Sequence, residues 1–399
     1  MIPYYSPHLR IRDIILALFQ FRAEVKVANF FKAYTGKKNI LFTSSCRSAI
    51  SLTYQSLNNK GKVITSPLTC QSAIDPIFWN DNIPVFVDID LDTLNIDPHK
   101  VEKRISSDVV AIQVINHGGV RVDSALINKI AQKKKIKIIE DCAQSFGILS
   151  EVDTNPINSD VSCYSLIKTG YGLGGGILAT NDDELYSKAK AIQDTFPKFS
   201  SKIVLYRIIR FFLESKRRLI IFENLYQILL SFRKDIADNT ELSIEGSKKT
   251  YLKKPPLFFK QYFAVRINKM MTLQRLRTEK GVVFSNKLRN KEILVNYQNM
   301  NLDIASFTKF FIYHPKINSE TVINNLNKQG IEVKHLEQRT DSRIQTRFDN
   351  SAICKKSIGI ENCHNYLKVH DHLVSLPLTE DLSEQSMNLI TEHLSLYIK

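Results

Sequence analysis

Between residues 39 and 195, short β-branched and aliphatic runs alternate with longer segments whose apolar positions recur at helical spacing. The strand-like runs are Asn39–Thr43, Lys62–Ser66, Val85–Asp88, Val109–Ile115, Ile136–Asp141, Val161–Ile167 and Gly176–Thr180. Helical patterns fill Ser48–Leu57, Gln71–Trp79, Ser124–Gln132 and Asp183–Asp194. This alternation predicts an α/β fold, a mostly parallel sheet covered by helices on both faces. Ahead of it, residues 12–33 place Ile14, Ile15, Leu18, Phe19, Val25, Val27, Phe30 and Phe31 at helical spacing, with Gly36 as the C-cap.

From residue 197 the pattern changes. Ile203–Leu213 and Leu219–Phe232 are nearly continuous apolar runs, punctuated by Arg207, Arg210, Arg217, Arg218 and Arg233 and ended by Pro255-Pro256. They read as an inserted helical pair. A long helix is then expected over Met271–Tyr297, a strand over Phe307–Tyr313, a helix over Ser319–Gln329 stopped by Gly330, and a last helix over Ser383–Tyr397. The chain thus divides into a large domain (1–196), a basic, apolar helical insertion (197–260) and a smaller α+β C-terminal domain (261–399).

Composition adds limits. Apolar residues at 43% and charged residues at 24% are ordinary for a soluble globular protein. No signal-peptide pattern opens the chain and no apolar stretch is long enough to span a bilayer, so a cytoplasmic protein is expected. The six cysteines are scattered without metal-ligand spacing, which reads as reduced thiols and no metal site. The net charge is +15, and residues 198–260 carry fourteen Lys/Arg against six Asp/Glu, a local +8. Such a balance suits nucleic acid, an anionic membrane surface or a phosphorylated substrate. No zinc-finger spacing or RNP-type aromatic motif accompanies it, which argues against nucleic acid.

The chemistry is concentrated in two strand ends. One apolar run ends on Asp141, with Gln144 three residues on; the next delivers Lys168, followed by Gly172 and Gly174-Gly175-Gly176. Open α/β sheets place ligands at such carboxyl ends. An amine and a carboxylate there suit pyridoxal phosphate: the lysine can hold its aldehyde as a Schiff base, and the acid can keep the pyridine nitrogen protonated. Each residue also has a plain structural reading, a helix-capping aspartate and a lysine reaching from a strand end to water. The glycines would let backbone approach a ligand closely, although they do not form the dinucleotide fingerprint. Thr43–Ser48 joins a strand to a helix whose free amides could bind a phosphate, with Arg47 adding charge. An ordinary Ser cap with a solvent-facing arginine is the other reading.

Taken together, Ser45–Ile50, Val63–Ala73, Pro84–Asp90, Ile139–Gln144, Asp160, Lys168, Gly175-Gly176, Thr180-Asn181, Gly330-Ile331 and Leu373–Leu378 resemble the DegT/DnrJ/StrS-type sugar aminotransferases, fold-type-I pyridoxal phosphate enzymes. The resemblance covers about 40–195 firmly and 265–399 loosely; residues 197–260 have no counterpart in it. It implies that Lys168 binds the cofactor aldehyde, Asp141 pairs with the pyridine nitrogen and Gln144 lies on the ring-hydroxyl side. The amides around Cys46 and Arg47 would hold the phosphate, and Asn268 lies near where the family offers an asparagine to the neighbouring subunit. Three departures stand out. Cys46-Arg47 replace a usual Gly-Thr or Gly-Ser, Cys70 falls where an aromatic residue commonly stacks on the ring, and Cys163 stands in register for the phosphate-contacting serine. Ser165 is the candidate substitute.

The function so implied is transfer of an amino group, with glutamate as donor, to a keto-sugar carried on a nucleotide, for amino-sugar or surface-polysaccharide synthesis by a homodimer. Two alternatives remain open: a dehydratase-like relative, which Lys168 counts against, and a catalytically lapsed member serving as an assembly or membrane-surface partner through residues 200–255. His335, Arg339, His364 and His370 are candidates for the substrate side, or ordinary surface residues.

Overall fold

The computed structural model describes residues 2–5, 9–122, 124–147, 159–168, 172–217, 219–236, 244–298, 302, 305–335 and 359–398. Two short helices, α1 (Ile11–Leu18) and α2 (Ala23–Thr35), occupy the amino-terminal amphipathic stretch, which breaks at residues 19–22 instead of running through. Gly36 ends α2 as expected, at φ 66°, with its amide bonded to Lys32 O. The alternating region then gives β1 (Asn39–Thr43), α3 (Cys46–Leu57), β2 (Lys62–Thr65), α4 (Gln71–Trp79), β3 (Ile83–Phe86), α5 (Pro98–Val101), β4 (Val109–Ile115), α6 (Ser124–Lys134), β5 (Lys137–Cys142), β6 (Val161–Ser165), β7 (Gly176–Thr180) and α7 (Asp183–Thr195).

The seven strands form one sheet in the order β1-β7-β6-β5-β4-β2-β3. Pairs from β3 through β6 are parallel, whereas β7 runs antiparallel to both β6 and β1. Strands buried on both faces need continuous apolar runs, which is what β4 and β7 carry. The register pairs Ile115 with Asp141 and Asp141 with Cys163, so β4, β5 and β6 end together.

After α7 the insertion forms α8 (Ser201–Glu214), α9 (Ile220–Ile236) and α10 (Ile244–Tyr251), one helix more than the expected pair. Its ends meet where the Lys254 amide donates to Pro197 O (2.9 Å), so the excursion closes on itself. Arg217 ties it down through ion pairs to Glu223 (2.5 Å) and Glu332 (2.6 Å), with Tyr226 beneath the guanidinium.

The long helix differs most from expectation. It runs from Leu257 to Arg289 as α11, starting directly after Pro255-Pro256, where proline fits a helix start. Residue 260 therefore lies inside a continuous helix. The amino-terminal half of α11 packs Phe259, Phe263, Ile267 and Met270 against Phe31, Phe146 and Leu166; its carboxyl half carries Phe284 and Leu288 into the core of the C-terminal part. There β8 (Phe310–Tyr313), α12 (Ser319–Lys328), β9 (Lys334–His335), α13 (His364–His370), β10 (Leu373–Leu376) and α14 (Glu384–Ser395) surround a three-stranded sheet of order β8-β10-β9. The strand β8 is shorter than predicted because Phe307 takes a left-handed conformation, φ 43°, and buries its ring against Gly281.

The two parts are stitched together by charge as well as by packing. The amides of Asn365 and Tyr366, at the start of α13, donate to the Asp88 carboxylate (3.0 and 2.9 Å). A carboxylate at a helix amino terminus satisfies amides that the helix cannot. The strand β3 stops at Phe86, level with the end of β2 at Thr65, and does not continue to Asp88 as expected.

Alanine at Gly281 would gain about 1 kcal/mol of helix propensity. Its Cβ would, however, lie 2.3 Å from the Phe307 ring, which is buried and cannot move aside. Overpacking of this kind costs about 1–3 kcal/mol. Gly281→Ala should therefore lower the urea midpoint, and an unchanged or raised midpoint would show that the ring yields.

Candidate active site

Asp141 and Lys168 meet at the carboxyl ends of neighbouring parallel strands. Asp141 is the fifth residue of β5, and Lys168 follows the end of β6 by three residues. Asp141 is only 4% exposed. Its Oδ1 accepts from the Ala143 amide (2.9 Å) and the Cys46 thiol (3.6 Å). Burial pushes its pKa above the usual carboxylate range, while the Lys168 charge, the Ala143 amide and the Cys46 thiol pull it back. The buried acid thus lies within the field of a half-buried amine.

The neighbours of this pair come from four turns. Cys70, the N-cap residue of α4, places its sulfur 3.7 Å from Lys168 Nζ. Gln144 is buried; its Oε1 accepts from the Gly118 amide (3.0 Å) and its carbonyl from Ser306 Oγ (2.6 Å). Ser165, also buried, ends β6 opposite Gly176. Cys46 opens α3, and its thiol bonds to Asp141 and to Cys163 O (3.3 Å). Burial raises the Cys46 thiol well above its ordinary pKa, and Asp141 adds to the effect, so it stays protonated.

Two sequence readings change at the phosphate end. Arg47 does not face solvent or an open anion site. Its Nη1 lies 3.1 Å from the fully buried Asp75, its Nη2 donates to Ser72 Oγ, and its guanidinium stacks 3.8 Å from the Tyr251 ring with Trp79 beyond. The glycine run also serves the protein and not a ligand approach. A Cβ on Gly174 would strike Phe259 and Arg207, one on Gly175 would strike Phe42, and one on Gly176 would lie 2.4 Å from the Cys46 amide nitrogen. Ser45 Oγ takes the Ser48 amide (3.1 Å), an ordinary cap, so the amides at the start of α3 are what this turn offers an anion.

Sequence reasoning passed over His117. It follows β4 in Asn116-His117-Gly118-Gly119, where the glycines take φ 67° and 91°. Its ring stacks on Phe311 (4.4 Å), is 2% exposed, and has no hydrogen-bond partner on either nitrogen among the described residues. Burial lowers its pKa to about 3, helped by the charges of Lys309 and Lys168. The signal was available: a strand of the sheet ends there beside the one bearing Asp141. Asn268 is exposed on α11. His335 bonds to Ser319 (2.9 Å) and faces His370 at 5.4 Å in the smaller sheet, His364 is exposed, and Arg339 lies outside the described residues. A cavity of about 460 Å³ lined by Gln132, Lys137, Asp160 and Asp182 opens at the amino-terminal ends of β5 and β6, opposite to Asp141 and Lys168. Among the described residues no cluster could hold a metal.

These residues fit the ring side of a pyridoxal group. Beside the buried acid and the amine on the adjacent strand end, the two ring nitrogens of His117 have no hydrogen-bond partner among the described residues, and proteins seldom bury such groups unsatisfied.

The sequence profile of the DegT/DnrJ/EryC1/StrS aminotransferase family matches residues 20–199. That stretch is similar to the family's sequences. It holds Asp141, Lys168, Gln144, Cys46, Arg47, Cys70 and Ser165, whereas Asn268 and the substrate-side candidates His335, Arg339, His364 and His370 lie beyond it. The spore coat polysaccharide biosynthesis protein SpsC of Bacillus subtilis (strain 168) is 34% identical over 171 residues, 41% of this chain and 43% of its own length. A dTDP-3-amino-3,6-dideoxy-alpha-D-galactopyranose transaminase of Aneurinibacillus thermoaerophilus is 32% identical over 169 residues, 41% of this chain and 47% of its own. The chain thus spans less than half the length of these curated relatives. The solved structure of Helicobacter pylori PseC, an aminotransferase involved in the biosynthesis of pseudoaminic acid, superposes over 98% of both chains with a TM-score of 0.73 at 17% identity. It shows a common fold-type-I architecture that extends through the C-terminal part.

Two measurements test this geometry. Arg47→Ala leaves the buried Asp75 without its cation and should cost about 3–5 kcal/mol in urea unfolding, with or without cofactor; a loss confined to cofactor-loaded protein would return Arg47 to the phosphate. The unfolded chain protonates His117 below about pH 6.5, whereas the folded chain resists until about 3. Stability should therefore fall as pH drops through that window, by about 2 kcal/mol between pH 7 and 5. His117→Phe should flatten that part of the profile.

Proposed function

We propose that the protein is a pyridoxal phosphate-dependent aminotransferase that transfers an amino group to a keto-sugar carried on a nucleotide, with glutamate as donor. The observation that carries this reading is the buried Asp141 within the field of Lys168, on a scaffold whose family members are aminotransferases. When bound, pyridoxal phosphate supplies an aldehyde that condenses with amines and a ring that accepts an electron pair.

The roles of the chain's own residues follow. Asp141, held by the Ala143 amide and the Cys46 thiol, is positioned to keep a proton on a heterocyclic nitrogen. Lys168 would hold the cofactor, and its Nζ, when free, would take a proton from a substrate carbon and return it elsewhere. Gln144, locked at Oε1 and at its carbonyl, orients the ring-hydroxyl side. Main-chain amides at the start of α3, with Ser165, would hold the phosphate, since Arg47 is committed to Asp75. Cys70 would lie against the ring in place of an aromatic residue. It offers less contact area, so weaker cofactor retention is expected.

The net charge of +15 suits a nucleotide-diphosphate substrate. The resemblance implies a homodimer in which Asn268 serves the neighbouring site. Exposed Ile11, Ile15, Leu18, Phe19 and Phe21 on and beside α1 support a contact between copies. Amino-sugar or surface-polysaccharide synthesis in the cytoplasm is the setting this reading implies.

Purified wild type should carry an absorption band that borohydride abolishes. Lys168→Ala should lack that band and lose at least about 10³-fold in the release of 2-oxoglutarate from glutamate with a keto-sugar nucleotide. A Lys168→Ala variant that keeps both would overturn the assignment.

A further inference from the structure

We infer that the α8–α9 hairpin of the insertion is a docking face for an anionic lipid surface, a role separate from the transamination chemistry. The hairpin's inner side is fully used by its own protein. Phe211, Glu214, Arg217 and Tyr226 are buried there, Arg217 is paired to Glu223 and Glu332, and the Arg207 guanidinium lies over Phe199 and Phe259. Its outer side is exposed. Leu205 (58% exposed) and Ile209 (42%) are one turn apart on α8. Ile221 (66%), Leu225 (44%) and Ile228 (54%) recur at i, i+4 and i+7 on α9. One stripe per helix, with Ile203 and Leu219 also exposed, amounts to an apolar face far beyond the scattered exposure of an ordinary surface.

Charge decides what covers it. Residues 198–236, which carry these stripes, hold nine Lys/Arg against three Asp/Glu, and while Arg207 and Arg217 face the protein, Lys198, Lys202 and Lys216 are exposed at the ends of α8. A second copy laid against the same face would bring like charge to like charge, whereas acidic headgroups would neutralise it. Apolar residues on one side of a helix with lysines at its margins suit a helix lying in the headgroup–acyl boundary. Spanning is not what these helices offer: among the described residues no helix is long and apolar enough to cross a membrane. Because Arg217 and the Lys254–Pro197 contact anchor the hairpin at both ends, lipid contact would set the orientation of the whole large domain.

Flotation of the full-length protein, purified with its cofactor, tests this. It should rise with vesicles of phosphatidylcholine and phosphatidylglycerol, stay down with phosphatidylcholine alone, and lose most binding in high salt. The triple variant Ile221→Glu, Leu225→Glu, Ile228→Glu should reduce binding at least about tenfold. Its far-ultraviolet circular dichroism should match wild type, since all three side chains are exposed. A second variant, Lys198→Glu with Lys202→Glu and Lys216→Glu, should reduce binding to acidic vesicles without touching the apolar stripe. Wild type that fails to float with acidic vesicles overturns the proposal, as does equal flotation of wild type and both variants. So does a triple variant that changes the particle mass in light scattering without altering flotation, because the face would then join copies of this chain. Transaminase activity is not needed for any of these readouts.

Discussion

Keeping an acid out of water beside a half-buried amine, at the ends of two adjacent strands, is the constraint on which the central architecture turns. Removing an ionised carboxylate from water costs several kcal/mol unless charge or hydrogen bonds compensate. Asp141 has three compensations, the Lys168 charge, the Ala143 amide and the Cys46 thiol, and each is delivered by a different element. β5 must end level with β6 for Lys168 to be near, α3 must begin beneath them for Cys46 to reach, and the turn after β5 must curl back for the amide. The parallel register Asp141–Cys163 provides the first, and the tight seat of Gly176 on Ser45–Cys46 the second. The fold around the site can be understood as what this arrangement requires.

The phosphate end shows the same economy of charge applied differently. An arginine beside a helix amino terminus invites an anion, yet Arg47 already has one, the carboxylate of Asp75 on the next helix. The ring of Tyr251 then seals the pair from above, and its carbonyl accepts from Ser44 Oγ (3.0 Å). The insertion therefore reaches back onto the turn that opens α3. A phosphate at that turn would be met by main-chain dipoles more than by a formal positive charge.

Much of this was readable in the chain, and the exceptions have physical causes. The seven strands and their helices followed from apolar periodicity, because a doubly covered sheet leaves few positions free to be polar. The Asp141–Lys168 pair was readable because strand ends in such sheets point to one rim. Arg47 was misread because its partner lies 28 positions away, at Asp75, and its seal 204 away, at Tyr251; pairing over such distances leaves no local pattern. His117 was missed because a lone histidine has no periodicity. The glycine run was recognised but given the wrong neighbour: packing from Phe42, Phe259 and Arg207, none adjacent in sequence, explains it. The start of α11 was placed too late because its buried side, which keeps one face of the helix throughout, includes the polar residues Arg266, Gln274, Arg277 and Ser285, and these interrupt the apolar stripe.

That helix has a mechanical meaning. Thirty-three residues at 1.5 Å each make a rod of about 50 Å, seated in the larger part at one end and in the smaller part at the other. Swinging one part against the other would mean bending the rod and pulling Asp88 from the start of α13. For the reaction proposed above, substrate selection is thus expected to rest on a site of standing shape, adjusted by side chains and surface loops, and not on a jaw that shuts.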